Sequence, residues 1–145
     1  MASRPFTGNP SQVIVGQLVA SGTRHLFYNT GSREARFFDA LYGHAGIDGI
    51  LGLHEGAVTA MAGGYAQVYS QPAVMSVHLG AGLAQSMGQM INVWAASLPV
   101  VTTTFVGDPG SYADRTTLAL GHHAGPTSIL EPMPEANWTV MHPHE

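Results

Sequence analysis

No cysteine occurs in the chain, which excludes disulfides and thiolate metal sites and permits a reducing compartment. Charge is scarce too. Only 10% of the residues are charged, against roughly a quarter in an ordinary soluble domain, so much of the surface is expected to be covered in a homo- or hetero-oligomer. Five Lys and Arg in a chain of formal net charge -4 form no basic stripe for phosphate backbones, and nucleic-acid binding finds no support. Long apolar runs are missing as well: nothing approaches the roughly 18 residues of a membrane span. The segment Met1 to Pro10 has no apolar leader core, so no membrane partner is expected and the cytoplasm is the expected location.

What is present suffices for one folded domain. The chain has 145 residues, 45% of them hydrophobic, enough for a real core. Asn9-Pro10 offers a helix cap followed by proline in the first turn, and Val13, Ile14, Gln17 and Leu18 continue a helix that Gly22 ends. His25 to Tyr28 reads as a strand, Asn29 to Ser32 as a turn, and Glu34 to Tyr42 as a helix whose inner face is Phe37, Phe38 and Leu41. Strand, turn and helix then recur. Gly49 to Leu53 leads into a helix from Glu55 to Tyr69, Ala73 to His78 into a long helix toward Ser97, and Val100 to Val106 is a fourth strand broken at Gly107-Asp108-Pro109-Gly110. From Leu118 the pattern decays, with Trp138 to Met141 as an isolated last strand.

Near-continuous apolar strands alternating with helices predict an α/β fold, a three-layer α/β/α arrangement around a central parallel sheet. Ligands of such sheets collect at the carboxyl ends of the strands. The informative positions are therefore Asn29 to Ser32, His54 and Glu55, His78 to Gly82, and Gly107 to Gly110, which are expected to cluster in space.

Each of these residues has a structural use that competes with a chemical one. Glu55, between a strand and a helix, sits where burial and a positive helix end can tune a carboxyl proton, but a lone glutamate there also simply complements the dipole. Gly80-Ala81-Gly82 before a helix can cradle an anion, yet it lacks the third glycine of a dinucleotide fingerprint and the Gly-Lys-Ser/Thr of a P-loop, so close helix-to-strand packing explains it better. His54-Glu55 is no zinc motif, because Val58 stands where the second histidine belongs. The adjacent His122 and His123 read as a solvated pair, His78 as a structural donor at a strand end, and Ser32 as the cap of the next helix. No residue here is assigned to a metal.

Taken together, the segments have an order. Phe27-Tyr28-Asn29-Thr30-Gly31-Ser32, Leu53-His54-Glu55-Gly56-Ala57, Gly63-Gly64-Tyr65-Ala66-Gln67, Val77-His78-Leu79-Gly80-Ala81-Gly82 and Asn92-Val93-Trp94 through Leu98-Pro99-Val100-Val101 resemble the N-terminal pyrimidine-binding (PYR) domain of thiamine-diphosphate-dependent enzymes. Within that superfamily of acetolactate synthases and 2-oxo acid decarboxylases, the benzoylformate decarboxylases are the most similar. The resemblance covers about positions 10 to 140.

The resemblance implies that Glu55 hydrogen-bonds the pyrimidine N1′ of thiamine diphosphate and so activates the cofactor toward a 2-oxo acid, for decarboxylation or carboligation. A carboxyl sharing a proton with N1′ favours the 4′-imino tautomer, whose nitrogen can act as an intramolecular base. It further implies that Ser32 and His78 face the substrate carboxylate and reacting oxygens, and that Gly80, Ala81 and Gly82 form the backbone turn at the pyrimidine edge. Thr30 departs from the usual Pro and Gly64 from the usual Asp. The Gly-Asp-Gly motif and downstream Asn that hold Mg²⁺ and the diphosphate have no counterpart: Gly107-Asp108-Pro109 lacks the second glycine and Asp48-Gly49 the first. Mg²⁺ and the diphosphate are thus expected on a partner domain or chain, and the last helix and strand of a complete PYR domain are expected to be missing. The chain is then read as one subunit of a split enzyme, like the two-chain sulfopyruvate and phosphonopyruvate decarboxylases, as a portion of a longer enzyme, or as a non-catalytic scaffold or regulatory module. In the first two cases it is expected to be inactive alone.

Overall fold

The computed structural model describes residues 5–69 and 71–105. Helix α1 spans Pro10–Ala20, and its start is set by reciprocal bonds. The Gln12 N–H donates to the Asn9 side chain at 2.9 Å, and the Asn9 N–H donates to Gln12 Oε1 at 3.0 Å, satisfying two donors that a helix leaves free. Gly22, at φ +90, turns the chain in the left-handed region that side chains resist. Strand β1, His25–Tyr28, follows, then a single 3₁₀ turn at Ser32–Glu34 and helix α2, Ala35–Tyr42.

The remaining elements are strand β2, Asp48–Leu51; helix α3, Glu55–Val68; strand β3, Ala73–Val77; helix α4, Leu79–Ala95; and strand β4, Val100–Thr104. All strand pairs are parallel, in the order β2-β1-β3-β4. Parallel neighbours need crossovers, and the helices supply them on both faces. Leu26 and Tyr28 point to one side with Val15, Phe37, Phe38, Leu41 and Ile47 from the first half of the chain. Phe27 points to the other, with Met75, Val77 and Leu83, and with Val58, Ala62 and Ala66 of α3. The result is the expected three-layer α/β fold.

The strands differ in burial. Every residue of β3 is buried, whereas β2, at the sheet edge, is half open, so Glu55 follows an edge strand rather than a buried one. The strand also stops earlier than its apolar run: Leu53 is 92% exposed. A Cβ at Gly52 would lie 2.5 Å from Val58 Cγ2, and the chain uses that close approach to leave the sheet and enter α3. Ser32 does not cap the following helix. It opens the 3₁₀ turn, Gly31 takes the cap position, and no side chain caps either segment. Among the described residues no helix is long and apolar enough to cross a membrane. The expected break at Gly107 to Gly110, the pair His122 and His123, and the strand at Trp138 to Met141 lie outside the described residues.

Candidate functional site

Because the strands are parallel, the residues that follow β1, β2 and β3 emerge at one edge of the sheet. Glu55 is the first residue of α3 and is 8% exposed. Its neighbour His54 caps the helix, with ring Nδ1 accepting the Gly56 N–H at 3.0 Å. Thr59 Oγ1 donates to the Glu55 carbonyl at 2.8 Å, so the backbone here is held from both sides of the turn. The carboxylate itself accepts no hydrogen bond from the described residues. It lies against Gly82 in the first turn of α4, where a Cβ would stand 3.1 Å from Oε1 and 3.3 Å from Cγ.

A second cluster adjoins the first. The His78 ring places Nδ1 2.8 Å from Oε2 of Glu34, whose side chain is wholly buried. The other carboxylate oxygen of Glu34 is buried with no partner among the described residues. Gly31, in the turn after β1, makes room for the ring: a Cβ there would fall 1.9 Å from Nδ1 and 2.3 Å from Cε1. The Gly82 N–H donates to the His78 carbonyl at 2.7 Å, so one turn of α4 joins the Glu55 and His78 clusters. Tyr28, at the end of β1, shares a hydrogen bond with the Tyr42 hydroxyl. Burial, and then that bond, pushes the Tyr28 phenol up to about 12, which keeps it neutral across the physiological range.

The structure therefore brings Glu55 to Gly82 and His78 to Gly31, contacts between three of the segments expected to cluster in space. Gly80 is half buried and Ala81 exposed in the same first turn of α4, and Ser32 is exposed on the turn after Gly31. Glu34 was not anticipated. Its spacing carried the signal: three, four and seven residues before Phe37, Phe38 and Leu41, it falls on the apolar face of its own helical pattern, where an unpaired carboxylate does not belong. Among the described residues no three His, Asp or Glu side chains converge to hold a metal ion.

A buried carboxylate without a donor, beside a glycine that leaves its face open, is suited to a ligand that offers a ring or amine hydrogen. Glu55 fits the pyrimidine end of thiamine diphosphate on those grounds. Nothing comparable is built for a diphosphate, since neither a metal cluster nor a Lys-bearing loop stands at this edge among the described residues.

Residues 9–125 match the family model described as thiamine pyrophosphate enzyme, N-terminal TPP binding domain. The chain is 36% identical over 104 residues to a candidate acetolactate synthase large subunit, IlvX, of Mycobacterium tuberculosis, covering 72% of this chain and 20% of that protein. It is 39% identical over 87 residues to benzoylformate decarboxylase of Pseudomonas aeruginosa, covering 57% and 15%. Among solved structures, the thiamine diphosphate-dependent 4-hydroxybenzoylformate decarboxylase of Rhodococcus jostii RHA1 superposes with TM-score 0.67 at 30% identity, over 73% of this chain and 20% of that one. The chain thus spans about a fifth or less of the length of these relatives.

Proposed function

Because the chain belongs to the family of N-terminal TPP binding domains of thiamine pyrophosphate enzymes, we propose that it is the pyrimidine-holding part of an enzyme that acts on a 2-oxo acid, by decarboxylation or carboligation, and that Glu55 activates the cofactor. The observation that carries this reading is the Glu55 carboxylate, buried, without a donor among the described residues and facing Gly82. Bound thiamine diphosphate supplies an electron sink for the pair released when a 2-oxo acid loses carbon dioxide. Glu55 holds a proton at the pyrimidine N1′, in surroundings dry enough to make that hydrogen bond strong. Gly82 keeps the carboxylate face open, and Gly80 and Ala81 line the pyrimidine edge with backbone. His78 exchanges a proton with the reacting oxygens, and Ser32, exposed on the turn, orients the substrate carboxylate.

The diphosphate and Mg²⁺ belong to a partner domain or subunit in this reading. Helix α4 carries no charged residue, the only one in α3 is the buried Glu55, and Ile91, Trp94, Val68 and Leu53 are exposed. A partly apolar helix pair whose one charged residue is buried has the composition of an interface core. The diphosphate-binding partner is the occupant this surface suits.

The test is to assemble the chain with a partner bearing Gly-Asp-Gly and a downstream Asn, together with thiamine diphosphate and Mg²⁺, and to measure 2-oxo acid turnover. Glu55→Gln is expected to lose roughly a hundredfold or more of the activity, and the chain alone to turn nothing over. Activity of the variant within a few-fold of wild type would sink the role of Glu55. Tight cofactor binding with no turnover in any assembly would favour a scaffold or regulatory module.

A further inference from the structure

We infer that Glu34 is a positioning residue for His78: it holds the proton on Nδ1, and so leaves Nε2 as the atom that exchanges a proton with substrate. The inference rests on the role of His78 in the reading above. Its support is geometric. Nδ1 and Oε2 are 2.8 Å apart, the carboxylate is wholly buried while the ring keeps 25% exposure, and a buried carboxylate with one oxygen unpartnered among the described residues is costly unless its single bond is strong.

An imidazole has two nitrogens, and the bond made by one sets the proton on the other. Ionised Glu34 can only accept, so Nδ1 must donate, whether the ring is neutral or protonated. Neutral His78 then carries its free lone pair on Nε2. When Nε2 takes a proton from substrate, the positive ring stays beside the carboxylate, which stabilises it; when the proton returns, the Nδ1 bond is unbroken. No bond to Glu34 forms or breaks in the cycle. This is the division of labour between a base and the acid that orients it.

Gly31 is the second half of the device. Its backbone is extended, φ -141 and ψ 170, a conformation any residue adopts, so glycine is not required there by the dihedrals. Space requires it, because a Cβ would overlap the ring at Nδ1, Cε1 and Cγ. Gly31 and Glu34 thus clamp the imidazole from the two ends of one 3₁₀ turn, with the Glu34 N–H donating to the Gly31 carbonyl at 3.3 Å.

The direct test is the ¹⁵N spectrum of the imidazoles in the full chain, with His78 assigned by loss of its signals in His78→Asn. Expected is a protonated Nδ1, and a bare Nδ1 beside a protonated Nε2 would overturn the inference. In the assembled enzyme, Glu34→Gln is expected to lower kcat about tenfold or more with KM little changed, and Glu34→Asp to recover part of it. A kcat unchanged in Glu34→Gln would overturn it too. Should Glu34→Gln fail to fold, Gly31→Ala displaces the ring while leaving the carboxylate in place, and the same fall in kcat is expected. The spectrum needs neither cofactor nor turnover: protonated Nδ1 with an active Glu55→Gln would leave this inference standing while the proposed cofactor role fell.

Discussion

Gly82 faces the Glu55 carboxylate so closely that an added Cβ would stand 3.1 Å from Oε1, a tight but not forbidden contact. Two effects of Gly82→Ala therefore oppose each other. Alanine within a helix gains roughly 0.5–1 kcal/mol over glycine, while the carboxylate must give by a few tenths of an ångström. The expected outcome is a melting temperature equal to or above that of wild type, with thiamine diphosphate affinity of the assembled enzyme lowered at least about tenfold, or 1.4 kcal/mol. Calorimetric melting and titration measure the two sides separately.

Gly64 and Gly88 are exposed on α3 and α4, and an added Cβ meets nothing at either. Alanine at each should stabilise the chain alone by about 0.5–1 kcal/mol, read as a rise of a few degrees in melting temperature. Gly88→Arg, in contrast, should leave the isolated chain folded and weaken association with the proposed diphosphate-binding partner by about tenfold or more. Unaltered association would remove this face from the interface.

Most strands were legible because burial on two faces demands apolar runs: Leu26, Phe27 and Tyr28 in β1 and Val74, Met75 and Val77 in β3 leave little alternative. Helix α1 was legible from Asn9, Pro10 and Gly22, whose roles follow from backbone chemistry. The end of β2 was not, since hydrophobicity cannot reveal that Gly52 must approach Val58, and Leu53 only continues an apolar run. Glu55 and His78 stood out through their place after strands and their company. Glu34 did not, because in one dimension a glutamate beside Arg33 and Arg36 looks like surface charge. His54 escaped notice as a cap because caps are sought among Ser, Thr, Asp and Asn.

Tyr28 provides a pH test. Its phenol, ordinarily ionising at 10.0, is raised to about 12 in the folded chain by burial and by Tyr42. Below pH 10 both folded and unfolded states keep the proton, and the stabilising effect is complete. Between pH 10 and about 12 the folded state binds more protons than the unfolded one, so stability falls as pH rises and levels off above. In Tyr28→Phe that component of the alkaline loss should vanish, and ultraviolet titration should lack the latest tyrosinate step. A Tyr28 that titrates with the exposed tyrosines would refute the shift.

The reciprocal bonds of Asn9 and Gln12 set a modest stability value. Asn9→Ala should destabilise the chain by about 1 kcal/mol, within the range of roughly 0.5–2 found for such caps. Asn9→Asp should retain most of it, because the carboxylate still accepts from Gln12 and favours the helix start. Urea unfolding of the three proteins gives the comparison.

The order of the sheet also has a temporal side. His25 pairs with Asp48, but the centre of the sheet waits for Leu26 to meet Val74. Closing so long a loop is slow, since its entropy is lost before the contact forms. During synthesis a nascent chain that has released β1 and β2 can join them while Gly31 and Glu34 still lack their imidazole. Only once β3 and the start of α4 have emerged can His78 and Gly82 arrive, so the contacts of Glu34 and Glu55 across the sheet edge close after β1 and β2 have paired.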